Sequence, residues 1–281
     1  MSIIAQTTLP SGEKVVLEHD PYEAAAVQLV VDGTPQSHVC TADPTQLFFS
    51  YMRRIGHVID AVRPAGQAIT ALHLGGGAFT LPRYVAATRR GSQQQIIEYS
   101  GELVDFVRQH LPLPAREPIR VRRGDARAVT AKLPAGLHGA VDIAVIDCFS
   151  GSRTPAHLTS AEFYKLFPPL LAPGGVLAVN CTDGAGGSFV RGQLATLLTL
   201  FPQVAAIGEP QVLKGRRFGN IILLASDSAS AWEWLPRAVN AGPHPARLLA
   251  DAELREFVGN TKPVTDATAQ QSPLPPAGIF S

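Results

Sequence analysis

The stretch AITALHLGGGAFTLPRYVAATRR, residues 68–90, decides the fold. Its first seven residues are mostly apolar, as a strand buried on both faces requires. The run ends in Gly75-Gly76-Gly77, and the chain resumes with helical spacing in LPRYVAATRR, whose closing arginines suit the negative end of a helix dipole. Strand, glycine turn and helix make the first half of a βαβ unit. Glycines at such a turn let the backbone come close to a ligand, and the helix start offers free amides. A glycine turn also joins elements where no ligand binds, so its meaning depends on its neighbours.

The alternation continues downstream. QQIIEYS (94–100) reads as a strand and GELVDFVRQHL (101–111) as an amphipathic helix. IRVRRGDA (119–126) is a strand with a turn, AVDIAVIDCFS (140–150) a buried strand, and TSAEFYKLFPPLL (159–171) a helix. GGVLAVNCTDG (174–184) is a further strand and RGQLATLLTLF (191–201) a helix. VAAIGEP (204–210) and GNIILLAS (219–226) close the series as two strands with no helix between them. Strands alternating with helices imply right-handed crossovers and a parallel sheet covered on both faces. The final pair predicts an antiparallel hairpin at one sheet edge, which marks a methyltransferase-like sheet rather than an ordinary dinucleotide fold.

Upstream, KVVLEHD (14–20), AAAVQLVVDG (24–33) and TPQSHVC (34–40) are short extended runs, and Asp32-Gly33 is a hairpin signal between them. DPTQLFFSYMRRIGHVIDAV (43–62) has helical spacing, with Asp43 as the expected N-cap and Pro44 in the first turn. After Ser226 the periodicity weakens. ADAELREFVG (250–259) predicts one more helix, and QQSPLPPAGIFS (270–281) a proline-rich tail that need not pack. The division expected is a β-hairpin domain over 1–42, a Rossmann-like nucleoside-binding domain over 43–226, and a helix with its tail over 227–281.

Of 281 residues, 46% are hydrophobic and 17% charged, a globular composition. With 24 Lys+Arg against 23 Asp+Glu the net charge is +1, so no strong field draws the chain to nucleic acid or an anionic membrane. Cys40, Cys148 and Cys181 are scattered without ligand spacing, and the eight histidines form no metal-binding pattern, so no metal is expected. No apolar run reaches the roughly 18 residues of a membrane span, and the first residues, MSIIAQTTLPSGEK, lack a signal-peptide pattern. A cytoplasmic location is the expectation.

Three acidic residues stand at the carboxyl ends of successive predicted strands, where open α/β sheets bind ligands. Glu98 ends QQIIEYS, one βαβ step after the glycines, where a carboxylate can accept from both hydroxyls of a ribose. Gly124-Asp125-Ala126 follows the next strand, and a carboxylate there can accept from the exocyclic amine of adenine. Asp147 ends the apolar AVDIAVID, where it either holds a substrate amine and takes its proton or caps the next segment. A solvent-facing strand end and an ordinary turn are the plainer readings of Glu98 and Asp125.

Taken together, ALHLGGGAFTLPRY, IIEYS, RGDA, VIDCFSGSRTPAHLTSAEFYKLFPPLLAPGGVLAVN and the element Asp32-Gly33-Thr34-Pro35-Gln36 resemble the spermidine synthase (polyamine aminopropyltransferase) family over roughly residues 25 to 225. The resemblance implies a Rossmann-like fold of the S-adenosylmethionine-dependent methyltransferase type behind a small N-terminal β domain. It implies a co-substrate rather than a tightly bound cofactor: decarboxylated S-adenosylmethionine. An amine attacks the carbon beside its sulfonium and releases methylthioadenosine. Carried across, Gly75, Gly76 and Gly77 line the donor, Glu98 holds the ribose, and Asp125 with Ala126 the adenine. Gln36 stands near the donor and amine, and Asp147 is the proton acceptor. The resemblance also implies a homodimer.

The chain departs from the family at three places. The family's glycine loop reads GGGDGG, and its aspartate grips the aminopropyl ammonium; here that position is Ala78, followed by Phe79 and Thr80. The second aspartate of the DSSDP-like pair is Ser150, which joins Asp147 as the substrate-binding pair, and FFSYM stands near the place of the Tyr-His-Glu element. Each lost charge-assisted contact costs about 1.5–3 kcal/mol if nothing replaces it. A neutral pocket at Ala78 and Phe79 is therefore expected, with Phe49, Tyr51, Tyr99 and Phe149 as further candidates for its wall. Such a pocket admits three alternatives: intact S-adenosylmethionine and methyl transfer, a less cationic acceptor, or nucleoside binding without turnover. A nicotinamide enzyme fits less well, because GGGAFT is not GxGxxG.

Overall fold

In the computed structural model, which describes residues 2–276, Asp32-Gly33 makes the predicted tight turn. Their φ angles are +46° and +77°, and Val31 pairs with Thr34 across them. Positive φ at both positions suits the twist of the flanking strands. The hairpin belongs to a four-stranded antiparallel sheet in sequence order: β1 (Ile3–Thr8), β2 (Lys14–His19), β3 (Ala26–Val31) and β4 (Thr34–Cys40). The first strand, over IIAQTT, was not anticipated.

The helix expected from Asp43 starts later, as α1 (Ser50–Ala61). Asp43 instead closes a local turn, accepting from the Thr45 amide at 3.0 Å and the Thr45 hydroxyl at 2.6 Å. An Asx turn satisfies the carboxylate without a helix, and Phe49 remains extended at φ −70°, ψ 135°.

The rest of the chain builds one large layered unit. Its elements run β5 (Thr70–Leu74), α2 (Thr80–Thr88), β6 (Gln93–Glu98), α3 (Gly101–His110), β7 (Ile119–Arg123), α4 (Ala126–Thr130), β8 (Val141–Ile146) and α5 (Ala161–Tyr164). They continue with β9 (Leu171–Asp183), α6 (Ser188–Leu197), β10 (Gln203–Gly208), α7 (Pro210–Leu213), β11 (Gly219–Ser226), α8 (Leu235–Asn240), β12 (Arg247–Ala250) and α9 (Asp251–Val258). The sheet order among the described residues is β12-β10-β11-β9-β8-β5-β6-β7. Strands β5 to β9 pair in parallel, and β11, β10 and β12 join antiparallel.

Two expectations change here. The β10–β11 pair is antiparallel as predicted, but the unforeseen β12 occupies the edge beside it. The helix over 159–171 shrinks to the single turn of α5, capped by the Ser160 hydroxyl and followed by Pro168-Pro169, which cannot continue a helix.

Apolar side chains fill both faces of the large sheet. One face packs Leu72, Leu74, Ile146 and Val179 toward α5 and α6; the other packs Ala71, Val145 and Ala178 toward α1 and α2. A third cluster joins Leu17, Leu29 and Val39 of the small sheet to Ile96, Val104 and Val107. That contact seats the small sheet over the carboxyl ends of β5 and β6.

A carboxylate-lined cavity as the candidate active site

The chain passes from β5 outward to β6 and β7, then returns to place β8 on the other side of β5. At such a switch point the loops after adjacent strands diverge and leave a crevice. Gly75 lies there at φ +93°, its amide donating to Ile97 O at 2.9 Å. A Cβ on Gly75 would come within 2.1 Å of the Asp147 carbonyl, so only glycine lets the β5 and β8 ends approach this closely.

The crevice opens into a cavity of about 990 Å³. Its wall brings together the residues assigned to donor, adenine and acceptor from the sequence: Gln36, Gly75, Gly76, Gly77, Glu98, Asp125, Ala126, Asp147 and Ser150. Tyr51, Tyr99 and Phe149 line it too. Phe49 does not stand among the lining residues, and the expected neutral pocket at Ala78 and Phe79 is absent. Both are fully buried in the cluster beneath the small sheet, with Phe79 at φ +61° as the first residue before α2.

The glycine loop is already hydrogen-bonded within the protein. Gly76 N donates to Glu98 Oε2 at 2.7 Å, Ala78 N to the Ser37 hydroxyl at 3.1 Å, and Phe79 N to Gly76 O at 2.7 Å. Few loop amides remain for a phosphate or a ligand carboxylate. Glu98 also accepts from Ser100 N at 3.0 Å, so both its oxygens are oriented. Gln36 reaches the other rim, where its Nε2 lies 3.4 Å from Gly151 O.

Asp125 caps α4 by accepting from Ala128 N at 2.8 Å, and its second oxygen lies 2.6 Å from His157 Nε2. Burial opposes ionisation, but these hydrogen bonds prevail and hold the carboxyl below its usual range. Asp147 behaves in the opposite way. Burial raises its pKa to about 6, although Asn180 and Tyr51 both stabilise the charged form. Asn180 Nδ2 donates to Asp147 Oδ1 at 2.7 Å, and Asn220 Nδ2 donates to Asn180 Oδ1 at 3.0 Å. This chain fixes the Asn180 amide orientation and aims Asp147. Cys148 stays protonated, its thiol pushed up by burial and then by the charges of Glu98, Asp147 and Asp125. Ser150 is exposed, its backbone paired with Arg153.

The charge balance is one-sided. Glu13, Glu98, Glu102, Asp125 and Asp147 line the cavity, and no Lys or Arg does so among the described residues. Asn180 lies within β9, one step beyond the Ile146–Val179 register pair and so beside Asp147, a signal that sequence reading passed over. Ser37 and His157 carry no such local mark, while Tyr51 was foreseen only as a candidate for the pocket wall. No group of His, Cys, Asp and Glu among the described residues has metal-binding geometry. No helix among them is long and apolar enough to cross a membrane.

Fold and site define a mixed α/β protein with a Rossmann-like, methyltransferase-type sheet and a small N-terminal antiparallel sheet. No family model matches the chain. A solved structure described as a probable spermidine synthase from Corynebacterium glutamicum is 29% identical, with a TM-score of 0.83 over 94% of this chain and 97% of that one. In sequence and fold the chain thus resembles spermidine synthase-like proteins. Spermidine synthase from Thermotoga maritima shares the fold at 16% identity, with a TM-score of 0.60 over 95% of this chain and 82% of that one. A probable polyamine aminopropyl transferase of Bifidobacterium longum is 27% identical over 125 residues, 43% of this chain and 27% of that protein. The match thus spans about a quarter of that relative's length.

Proposed function

We propose that this protein transfers an aminopropyl group from decarboxylated S-adenosylmethionine to an amine, releasing methylthioadenosine. The observation that carries the reading is the cavity wall, with five carboxylates and no Lys or Arg among the described lining residues. Such a wall favours a sulfonium donor and an ammonium acceptor, and disfavours a ligand carboxylate. Intact S-adenosylmethionine brings a carboxylate that would meet neither a cation nor a free run of loop amides. The same occupied amides argue against a pyrophosphate cofactor.

In this reading Gly75, Gly76 and Gly77 pass under the donor, and Glu98 accepts from its ribose hydroxyls. Asp125 and Ala126 take the adenine edge, and Gln36 closes the cavity from the small sheet. The acceptor enters as an ammonium, which is no nucleophile. Asp147, with its pKa near neutrality, holds it and removes one proton. The freed nitrogen lone pair attacks the carbon beside the sulfonium. The C–S bond breaks, its electrons return to sulfur, and neutral methylthioadenosine leaves. Asn180 and Tyr51 donate to Asp147 and orient its carboxylate toward the amine. Ser150 lies at the exposed rim of the cavity, where the acceptor enters.

The test is methylthioadenosine release, followed by mass spectrometry, from decarboxylated S-adenosylmethionine with a panel of amines. Release that needs an amine and disappears in Asp147→Asn supports the reading. Binding of methylthioadenosine without release from any amine overturns it, and methylated product from intact S-adenosylmethionine replaces it with methyl transfer.

A further inference from the structure

Asp147, Val145 and His73 lie on one face of the large sheet. Val145 and His73 are register partners on β8 and β5, and Asp147 stands two residues beyond Val145. On that face the cavity is lined by Tyr51, Met52, Leu81, Val145 and His73, of which all but Tyr51 are buried, and this buried part is its inner recess. Because His73 pairs with Val145, two residues of strand separate its level from that of Asp147, roughly 7 Å, the span of three to five methylenes.

His73 is 2% exposed. Its Nε2 lies 3.0 Å from Gln94 Oε1, while Gln94 Nε2 donates to Pro82 O at 3.0 Å. Gln94 therefore presents its oxygen to His73, and Nε2 of the imidazole carries the proton. Burial drives the His73 pKa down to about 4, which leaves the ring neutral near pH 7. Nδ1 then holds a buried lone pair with no protein donor. A buried acceptor without a donor destabilises a fold, and on a residue that lines the cavity it calls for a ligand.

We infer that this recess is a neutral hydrogen-bonding subsite for the tail of the acceptor, with His73 Nδ1 accepting from an uncharged O–H or N–H. The inference rests on the amine-acceptor reading and specifies its class: a short aliphatic amine ending in a hydroxyl or similar neutral donor. A diamine fits less well. Its far ammonium would lie against Met52, Leu81 and Val145, with Asp147 already engaged by the reacting amine.

The first experiment reads binding without turnover. Wild-type protein labelled with ¹⁵N at histidine and saturated with methylthioadenosine is titrated with 4-aminobutanol, butylamine and putrescine. A shift of the His73 Nδ1 resonance with the amino alcohol, and none with butylamine, supports the subsite whether or not transfer occurs. No shift with the amino alcohol, or an equal one with putrescine, overturns it. The second experiment compares kcat/KM for the amino alcohol and butylamine. His73→Val should lower their ratio roughly 3- to 10-fold, the effect of one neutral hydrogen bond. Leu81→Phe, which fills the recess without removing a polar group, should impair both amines. An unchanged ratio in the first variant and unchanged rates in the second also overturn the proposal. Absence of transfer with every amine would sink the aminopropyl reading alone, leaving the resonance titration to decide the subsite.

Discussion

Asp147 combines a functional and a thermodynamic signature in one side chain. Burial is the largest influence on it, and the opposing hydrogen bonds from Asn180 and Tyr51 leave its pKa at about 6. Its ionised fraction therefore grows as pH rises through 6, and kcat/KM of the wild type should show an acid limb there. Stability moves the other way. The folded-state pKa lies above the unfolded value, so the folded protein prefers the proton, and ionisation above about pH 4 destabilises it increasingly until pH passes 6. Asp147→Asn should consequently raise stability at pH 8 by on the order of 2 kcal/mol, and by much less at pH 4. Urea unfolding at both pH values measures this, and an equal change at both would contradict the assignment. Asp147 was legible as the charged end of an apolar strand. Its raised pKa was not, because that depends on what buries it.

The junction between the small sheet and the glycine loop is the element whose geometry is most tightly specified. Ser37 on β4 accepts from Ala78 N, and a Cβ on Gly77 would come within 2.4 Å of the Ser37 hydroxyl. Gly77 also has φ +49°, which disfavours any side chain. Gly77→Ala alone should destabilise by about 2–3 kcal/mol, combining clash and backbone strain. In a Ser37→Ala background the clash disappears, and the added loss should fall to about 1 kcal/mol. A double-mutant cycle by thermal unfolding checks the coupling, and strictly additive losses would show that the two elements do not meet as described. The glycines were readable as a close approach of backbone. What approaches them, a hydroxyl from forty residues upstream, was not. The same limit explains α1: helical spacing over 43–62 was real, but Asp43 found a local turn that propensity alone does not rank above a cap.

At the scale of the whole molecule, the segment after α9 forms part of the cavity rather than a loose tail. Asp266 pairs with both Arg127 nitrogens at 2.7 Å and accepts from Ser160, while Ser272 is fully buried against Thr154 and Gln271 reaches the cavity wall. The expectation of an unpacked tail is thereby corrected for residues 270–272; residues 277–281 lie outside the described part. Arg127→Ala should increase deuterium exchange over residues 264–272 and weaken methylthioadenosine binding, since Arg127 follows Asp125 by two positions. Arg127 and Ser160 hold the Asp266 carboxyl down to a pKa of about 2. Its contribution is therefore present above the unfolded pKa and fades only as pH falls through 2, so the variant's exchange difference should persist from pH 8 to pH 5. A difference that vanished by pH 5 would mean another contact holds the segment.

The sequence by itself determined most of the alternation of strands and helices from β5 to β11, the glycine loop and the three carboxylates at strand ends. Each of these is local: periodicity shows which face is buried, glycine permits a positive φ, and a charge ending an apolar run needs a reason. Tertiary structure alone decided the partners that tune them. His157 meets Asp125 across 32 residues, Asn180 meets Asp147 across 33, and Ser272 meets Thr154 across 118. Such pairs follow from strand order and loop path, which no short window of sequence encodes. Burial follows from the same packing, and it sets the raised pKa of Asp147 and the neutrality of His73.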